Sequence, residues 1–374
     1  MIYLNNASTS YPKPQVVLDA VQRYCQSMPV SPGRGFCTSE FSQLFECGQS
    51  LVSTLISAPT SNDVFFFQNA TCALNQAIFG LNWAPGDEIV TTVTEHNSVL
   101  RPVHYLQQHG VRVRFVACDI KGQVEAEAIL ANVTEKTRLV IVNHVSNVTG
   151  AVQDLPRIGA LLREYRALFL VDASQSLGIY PVDVEQSRID LLAFTGHKFL
   201  YGLQGIGGLY IRNGVKLKPF ILGGTGVLSE QLEQPEQNPW RYQAGTVNMV
   251  GIASLCAGIE YLQTMPALLQ TLRHKTDRLK CVIEAEGGRC HAAKGSTIIS
   301  FSFGPSFDSS EIEQVFYESF GIVVRAGLHC APMLANYIDA PSGTVRISPS
   351  ASTSDADIAS ACEAIKVIAA SGLV

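Results

Sequence analysis

Two residues set the chemistry open to this chain: Lys198 and Asp172, twenty-six positions apart. Lys198 closes the run Thr195-Gly196-His197-Lys198 and follows the apolar stretch Leu191 to Thr195 by three positions. That places it at the end of a short buried strand, ahead of a glycine-rich tract from Tyr201 to Gly208. An amine held there among small and polar groups gives up its proton readily, as a Schiff-base lysine must. Taken alone, the segment also reads as a surface lysine in a loop. Asp172 ends the continuous apolar run Ala167-Leu168-Phe169-Leu170-Val171, the pattern of a strand covered on both faces. A carboxylate at such a place is costly unless it meets a cation. A strand-end aspartate by itself equally fits metal or ribose binding. Together on successive strand ends, the amine and the acid point to pyridoxal phosphate, whose pyridine nitrogen takes a proton and pairs with an acid.

Other residues gather around this pair. Thr71, in Asn69-Ala70-Thr71-Cys72, opens an apolar-periodic helix, where free backbone N–H groups and a hydroxyl make a phosphate site. An ordinary threonine N-cap is the alternative. Thr195 and His197 flank the lysine and could reach the same phosphate. His96, in Thr94-Glu95-His96, follows a strand end and could stack on a flat ring and move protons. Asn147 ends another strand and could touch the ring or the substrate, and Gln175 is placed to donate to a phenolic oxygen. Cys330 sits in Arg325-Ala326-Gly327-Leu328-His329-Cys330-Ala331, where a glycine-containing loop, an adjacent histidine and a nearby arginine favour a thiolate. Arg346, on the apolar strand Thr344 to Ile347, is awkward without an anion. A substrate carboxylate gripped bidentately or a structural ion pair would satisfy it.

The elements that must position these residues are strands alternating with helices. Strands are expected at Val64–Phe67, Glu88–Val93, Val111–Ala117, Leu139–Asn143, Leu168–Val171, Leu191–Phe194 and Gly207–Ile211. Helices fall near Gln15–Gln26, Glu40–Ser57, from Cys72, Val99–His109 and Glu125–Asn132. This alternation predicts an α/β domain with a mostly parallel seven-stranded sheet. Residues 14–255 form the expected large domain, and residues 1–13 with 256–374 a smaller α+β one. Its elements are a strand at Thr297–Phe303, a helix at Ser309–Phe320, strands at Val323–Arg325 and Thr344–Ile347, and a last helix from Ser354. Between them, Leu228 to Pro239 reads as a polar exposed excursion. A chain of 374 residues with 47% hydrophobic and 16% charged residues suits such an enzyme with a large subunit interface. Its net charge of −5 gives no basic field for nucleic acid, and no apolar run approaches a membrane span. Ten cysteines without a Cys-x-x-Cys pair fit a reducing compartment, no metal site and a cytoplasmic location.

Several segments carry a resemblance: Tyr3-Leu4-Asn5-Asn6-Ala7, Thr94-Glu95-His96, Ser146-Asn147-Val148-Thr149-Gly150, Val171-Asp172-Ala173-Ser174-Gln175, Gly196-His197-Lys198, Ala244-Gly245-Thr246 and Arg325 to Ala331. The chain resembles class V, fold-type I pyridoxal phosphate enzymes, and among them the group II, SUF-type cysteine desulfurases and selenocysteine lyases. The resemblance implies that Lys198 holds the cofactor, Asp172 pairs the pyridine nitrogen, His96 stacks on the ring and Gln175 meets the phenolic oxygen. It assigns Thr71, Thr195 and His197 to the phosphate, joined by Thr246 of a second subunit. It assigns Arg346 to the substrate carboxylate, Arg34 of the partner chain to the entrance and Cys330 to the transferred sulfur. A homodimer acting on L-cysteine or L-selenocysteine is thus expected, with a sulfur-acceptor protein as a further partner. An aminotransferase or other β-lyase of the class, or a silent subunit of a sulfur-transfer complex, are the alternatives. Three departures surround the substrate: Cys72 follows the threonine where an acid is usual, Leu328 replaces a polar residue, and Ser348 to Thr353 replaces a Tyr-Asn pair.

Overall fold

The computed structural model describes residues 1–29, 31–32, 41–304 and 307–371. In chain order the elements are β1 (Ile2–Tyr3), α1 (Gln15–Gln26), α2 (Leu44–Leu55), β2 (Val64–Phe67), α3 (Ala70–Phe79), β3 (Glu88–Thr92), α4 (Asn97–Gln108), β4 (Arg112–Val116), α5 (Ala126–Leu130), β5 (Thr137–Asn143), α6 (Leu155–Leu161), β6 (Leu168–Asp172), β7 (Leu191–Thr195) and β8 (Gly207–Ile211). There follow α7 (Met249–Gln263), α8 (Leu268–Ala285), β9 (Arg289–Cys290), β10 (Ile299–Ser302), α9 (Ser309–Phe320), β11 (Ile322–Val323), β12 (Arg325–Gly327), α10 (Pro332–Tyr337), β13 (Thr344–Ile347) and α11 (Asp355–Ala370).

The seven expected strands form one sheet in the order β2-β8-β7-β6-β5-β3-β4, parallel except for β8, which runs against both its neighbours. Successive side chains alternate between its faces. Phe65, Leu139, Ile141, Leu191 and Ala193 pack with α3 and α4 on one side. Val64, Phe66, Val140, Val142, Leu192 and Phe194 pack with α1, α2 and α7 on the other. Both faces are therefore dry, which is why β6, β7 and β8 read as near-continuous apolar or small-residue runs. Chain order turns back between β3 and β5: β4 lies outside β3, and the chain then returns to β3's other side. In open α/β sheets such a reversal opens a crevice at the carboxyl ends of the strands.

The second core is built on the antiparallel sheet β12-β13-β10-β9 under α8, α9 and α11, with Leu4 packed into it from the amino-terminal segment. β1 adds to it by pairing in parallel with β11. Helix α7 lies wholly with the large sheet: Ile252, Leu255, Cys256 and Ile259 belong to its core. A division at residue 255 would cut this helix, and the small core begins with α8. The helix is apolar on all sides from Met249 to Ile259, so its sequence pattern shows no face that would assign it to one lobe. Gly258 makes the packing close: a Cβ there would stand 2.0 Å from the Leu200 carbonyl oxygen. The strand expected at 323–325 is two pieces, β11 and β12, serving different sheets. Among the described residues no single helix is long and apolar enough to cross a membrane.

Candidate active site

The carboxyl ends of β3, β5, β6 and β7, the start of α3 and the edge of the small lobe enclose a cleft of about 250 Å³. Thr71, His96, Asn147, Asp172, Gln175, Thr195, His197, Lys198 and Arg346 all line it. Asp172 is the last residue of β6, and Lys198 follows β7 by three residues. The turn between β7 and Lys198 is tight because Gly196 faces Ile206, whose Cγ2 would lie 2.6 Å from any Cβ. The glycine is required by space and not by a left-handed backbone, since its φ is ordinary.

Lys198 is partly buried in the cleft, and desolvation pulls its ammonium down to about 8, against the opposing pull of the Asp172 charge. Arg346 and Arg325 depress it further. Asp172 is 5% exposed and accepts from the Ser174 backbone N–H at 2.9 Å and from the Ser174 hydroxyl. His96 is the N-cap of α4, its Nδ1 accepting from the Ser98 N–H at 3.1 Å. That bond leaves the ring proton on Nε2. Burial, then the Lys198 charge, lowers the ring to about 4, so it is neutral at physiological pH. His197 is lowered to about 4 by the same two causes and by Lys13.

On α3 the N-cap is Asn69, which takes the Cys72 N–H at 3.0 Å. Thr71 is therefore not a capping residue; it stands in the first turn, where backbone N–H groups are free, and lines the cleft. The sequence signal for this was the asparagine two places earlier.

Arg346 is 1% exposed on β13 and directly opposite Arg325 of β12. Like charges across a strand pair repel, and neither arginine meets a carboxylate among the described residues. Nη1 of Arg346 donates to the Asn147 carbonyl at 2.8 Å, and Nη2 to Ser8 Oγ at 2.9 Å and Asn5 Oδ1 at 3.1 Å. Its Nε has no partner, and burial together with Arg325 lowers the guanidinium to about 9. A structural ion pair, one of the two readings of Arg346, is thus absent among the described residues. Arg325, which the sequence singled out only as a neighbour of the thiol, is a second cation of the cleft itself.

Arg325 also carries the loop chemistry. Its Nη2 lies 3.3 Å from Cys330 Sγ. The histidine expected to assist the thiol does not: His329 is buried, its Nε2 faces Thr344, and desolvation holds it well below the ordinary imidazole value. His329 and Cys330 both have left-handed backbones, φ 52° and 59°. Asn147 Nδ2 holds the carbonyl of the first at 2.7 Å, and the Asn97 N–H that of the second at 2.8 Å. Non-glycine residues keep such conformations only where their surroundings over-determine them, commonly at functional sites.

Thr246 does not line the cleft of its own chain. It borders a neighbouring hollow with Asn69, Cys72 and Ile221. Arg34 lies outside the described residues. The excursion at 228–239 is irregular and polar, but Phe220, Ile221 and Leu222 just before it, and Leu232 within it, are exposed apolar side chains.

The cleft is short of hydrogen-bond partners and rich in positive charge. Of ten buried side-chain polar atoms without a partner among the described residues, five belong to residues lining it: Asn147 Oδ1, Gln175 Oε1, Thr195 Oγ1, His197 Nδ1 and Arg346 Nε. Lys198, Arg325 and Arg346 face one lining carboxylate among the described residues, Asp172. Buried polar groups are normally satisfied, so the arrangement is built around a polar, anionic occupant. Pyridoxal phosphate fits it: an amine for the aldehyde, an acid for the ring nitrogen, a helix start, Thr195 and His197 for the phosphate. No described cluster of His, Cys, Asp and Glu could hold a metal ion.

The aminotransferase class-V family matches residues 2–360. A Methanothermobacter thermautotrophicus protein named "probable cysteine desulfurase" is 34% identical over 361 residues, covering 93% of this chain and 89% of that protein. A cysteine desulfurase of Yersinia pestis is 30% identical over 360 residues, covering 91% and 87%. Among solved structures, the apo cysteine desulfurase of Thermococcus onnurineus NA1 superposes with a TM-score of 0.91 at 28% identity, covering 99% and 94%. A cysteine desulfurase of Escherichia coli gives 0.86 at 26%, covering 98% and 94%.

Proposed function

We propose, from the premise that the chain belongs to the class-V aminotransferase family, that it is a pyridoxal phosphate-dependent cysteine desulfurase releasing L-alanine and leaving sulfur on Cys330. The observation that carries this reading is the Arg325 guanidinium, which lines the cleft beside Lys198 and touches Cys330 Sγ at 3.3 Å. A thiol is thereby tied to an amine and an acid placed for carbanion chemistry.

Bound in this cleft, the cofactor supplies an electron sink that acidifies the substrate's Cα–H and weakens its Cβ–S bond. Lys198 would anchor it and, as a free amine, would take the substrate's Cα proton; an amine near 8 carries enough free base for this at neutral pH. Asp172 would pair with the ring nitrogen. Arg346 and Arg325 hold the substrate carboxylate, replacing mutual repulsion by two charge-assisted contacts. His96, neutral with a proton on Nε2, would relay a proton within the cleft. Cys330 Sγ, held by Arg325, attacks the substrate sulfur. An S–S bond forms as the Cβ–S bond breaks, its electron pair returns to carbon and is protonated, and alanine leaves. The sum is cysteine plus thiol giving alanine plus persulfide, with no external oxidant. An acceptor thiol then collects the sulfur.

The active site is shared between two copies. Thr246 is turned away from its own cleft beside the exposed Ile221, which supports its serving a partner's phosphate. Purified protein loaded with pyridoxal phosphate and given L-cysteine and reductant should yield alanine and sulfide in equal amounts. Cys330→Ala should keep the visible cofactor band but lose this turnover more than about 100-fold, while L-selenocysteine, whose elimination needs no thiol, is still converted. Pyruvate or another keto acid as the main product, or undiminished cysteine turnover in Cys330→Ala, would refute the proposal.

A further inference from the structure

The site built above has an unexpected tenant. Ser8 lies in the amino-terminal segment, half-buried, and lines the cleft. Its Oγ accepts from Arg346 Nη2 at 2.9 Å and lies 3.4 Å from Arg325 Nη1. Its own proton goes to Asn5 Oδ1 at 2.7 Å. With the proton directed away, the hydroxyl turns only lone pairs toward the two guanidiniums. It therefore imitates one carboxylate oxygen, at the point where the paired arginines most need an anion.

We infer that Ser8 is a specificity-determining residue, a placeholder for the substrate carboxylate that must be displaced from the Arg325–Arg346 pair before an amino acid binds. The inference deepens the desulfurase reading and rests on it only for the name of the substrate. Three observations support it. Arg346 has one hydrogen-bonding atom unused, Nε, so a carboxylate taking Nε and Nη2 side by side must remove one present acceptor of Nη2. Of those acceptors, Ser8 alone also reaches Arg325. Ser8 is moreover on the cleft lining, whereas Asn5 is not. A neutral hydroxyl is a weaker partner for two cations than a carboxylate, so the exchange favours ligands carrying a full negative charge. An amine or thiol without a carboxylate cannot drive it. Arg325 also touches Cys330 Sγ, so the exchange seats the substrate's charged end next to the thiol.

The test separates carboxylate binding from turnover. Propionate, a carboxylate lacking amine and sulfur, is titrated onto cofactor-free protein by ligand-observed NMR, and KM and kcat for cysteine are measured on the loaded enzyme. Ser8→Ala removes the competitor, so propionate affinity should rise and KM fall by about tenfold with kcat nearly unchanged. That is the equivalent of one charge-assisted hydrogen bond at the low end of its range. Ser8→Thr, which keeps the hydroxyl, should retain the parent's propionate affinity. Ser8→Asp supplies a tethered carboxylate; it should abolish propionate binding and raise the melting temperature by neutralising the arginine pair. Weaker or unchanged propionate binding in Ser8→Ala, or parent-like propionate binding in Ser8→Asp, overturns the placeholder. Because the propionate measurements need no activity, they stand even if the desulfurase assay fails.

Discussion

The free amine of Lys198 should be measurable before any cofactor is added. Burial brings its ammonium from the ordinary 10.5 to about 8. At pH 7 roughly one molecule in ten then carries the free base, about 300 times more than an exposed lysine. Reductive methylation with formaldehyde reads this fraction directly, since only the unprotonated amine reacts and mass spectrometry assigns the product to residue 198. In cofactor-free protein the rate at Lys198 should rise with a midpoint near pH 8, well below that of the surface lysines. Asp172→Asn sharpens the test. Asp172 is the charge that holds the ammonium up, so its removal should lower the midpoint. The rate at pH 7 should then increase toward a ceiling of about tenfold, set by the one-in-ten starting fraction, while cofactor-dependent turnover collapses. A midpoint near 10, or an upward shift in Asp172→Asn, would refute the claim that desolvation opposed by this one carboxylate tunes the amine.

Two further perturbations probe the frame around it. Burial, with the Asp172 charge adding to it, drives the Glu95 carboxyl up to about 8, so the native protein keeps a proton that the unfolded chain releases above about 4.5. Stability therefore falls as pH rises through this window, by at most ~1.4 kcal/mol per unit, and levels off above pH 8. Glu95→Gln mimics the protonated acid and should be increasingly more stable than the parent from pH 5 to pH 8 in urea titrations; an equal difference at both pH values would mean that Glu95 is ionised. Gly258→Ala forces a Cβ against the Leu200 carbonyl and should cost ~1–3 kcal/mol while slowing cofactor capture by Lys198, two residues from that carbonyl. Parent-like melting would show that α7 can retreat without cost.

Much of this site was legible because parallel strands buried on both faces announce themselves as apolar runs, and the residue closing each run points into the crevice. Asp172 was found in that way; Lys198 and Asn147 stand three and four residues beyond the ends of β7 and β5 and were found from the loops that follow them. The direction of β8 was not legible, since side-chain periodicity is the same for a strand running either way. Nor were residues whose role depends on what lies across the fold. Arg325 becomes a cleft cation only because register sets it opposite Arg346. His329 lost its expected part because its ring turns to Thr344, a residue fifteen positions away. The carboxyl of Glu95 is held by Thr92 and by the Asn143 N–H, and only that enclosure explains its proton. The Ser98 partner that fixes the His96 tautomer had a local signal, a serine two places into a helix after a histidine.

The amino-terminal segment joins parts of the molecule made far apart in time. Ala7 O accepts from Gln175, Ser8 meets both arginines, and Thr9, Ser10 and Lys13 all donate to the His197 carbonyl, one peptide before the reactive amine. The Ala7 N–H donates to Ser348 Oγ, 341 residues away. At a translation rate of about 5–20 residues per second, roughly 17–70 s separate synthesis of those two residues. A nascent chain that has completed the large sheet thus still lacks a finished reaction centre. Catalytic competence arrives only when the last lobe emerges and closes over the first residues made, so a ribosome-bound fragment is expected to bind neither cofactor nor substrate as the whole chain does.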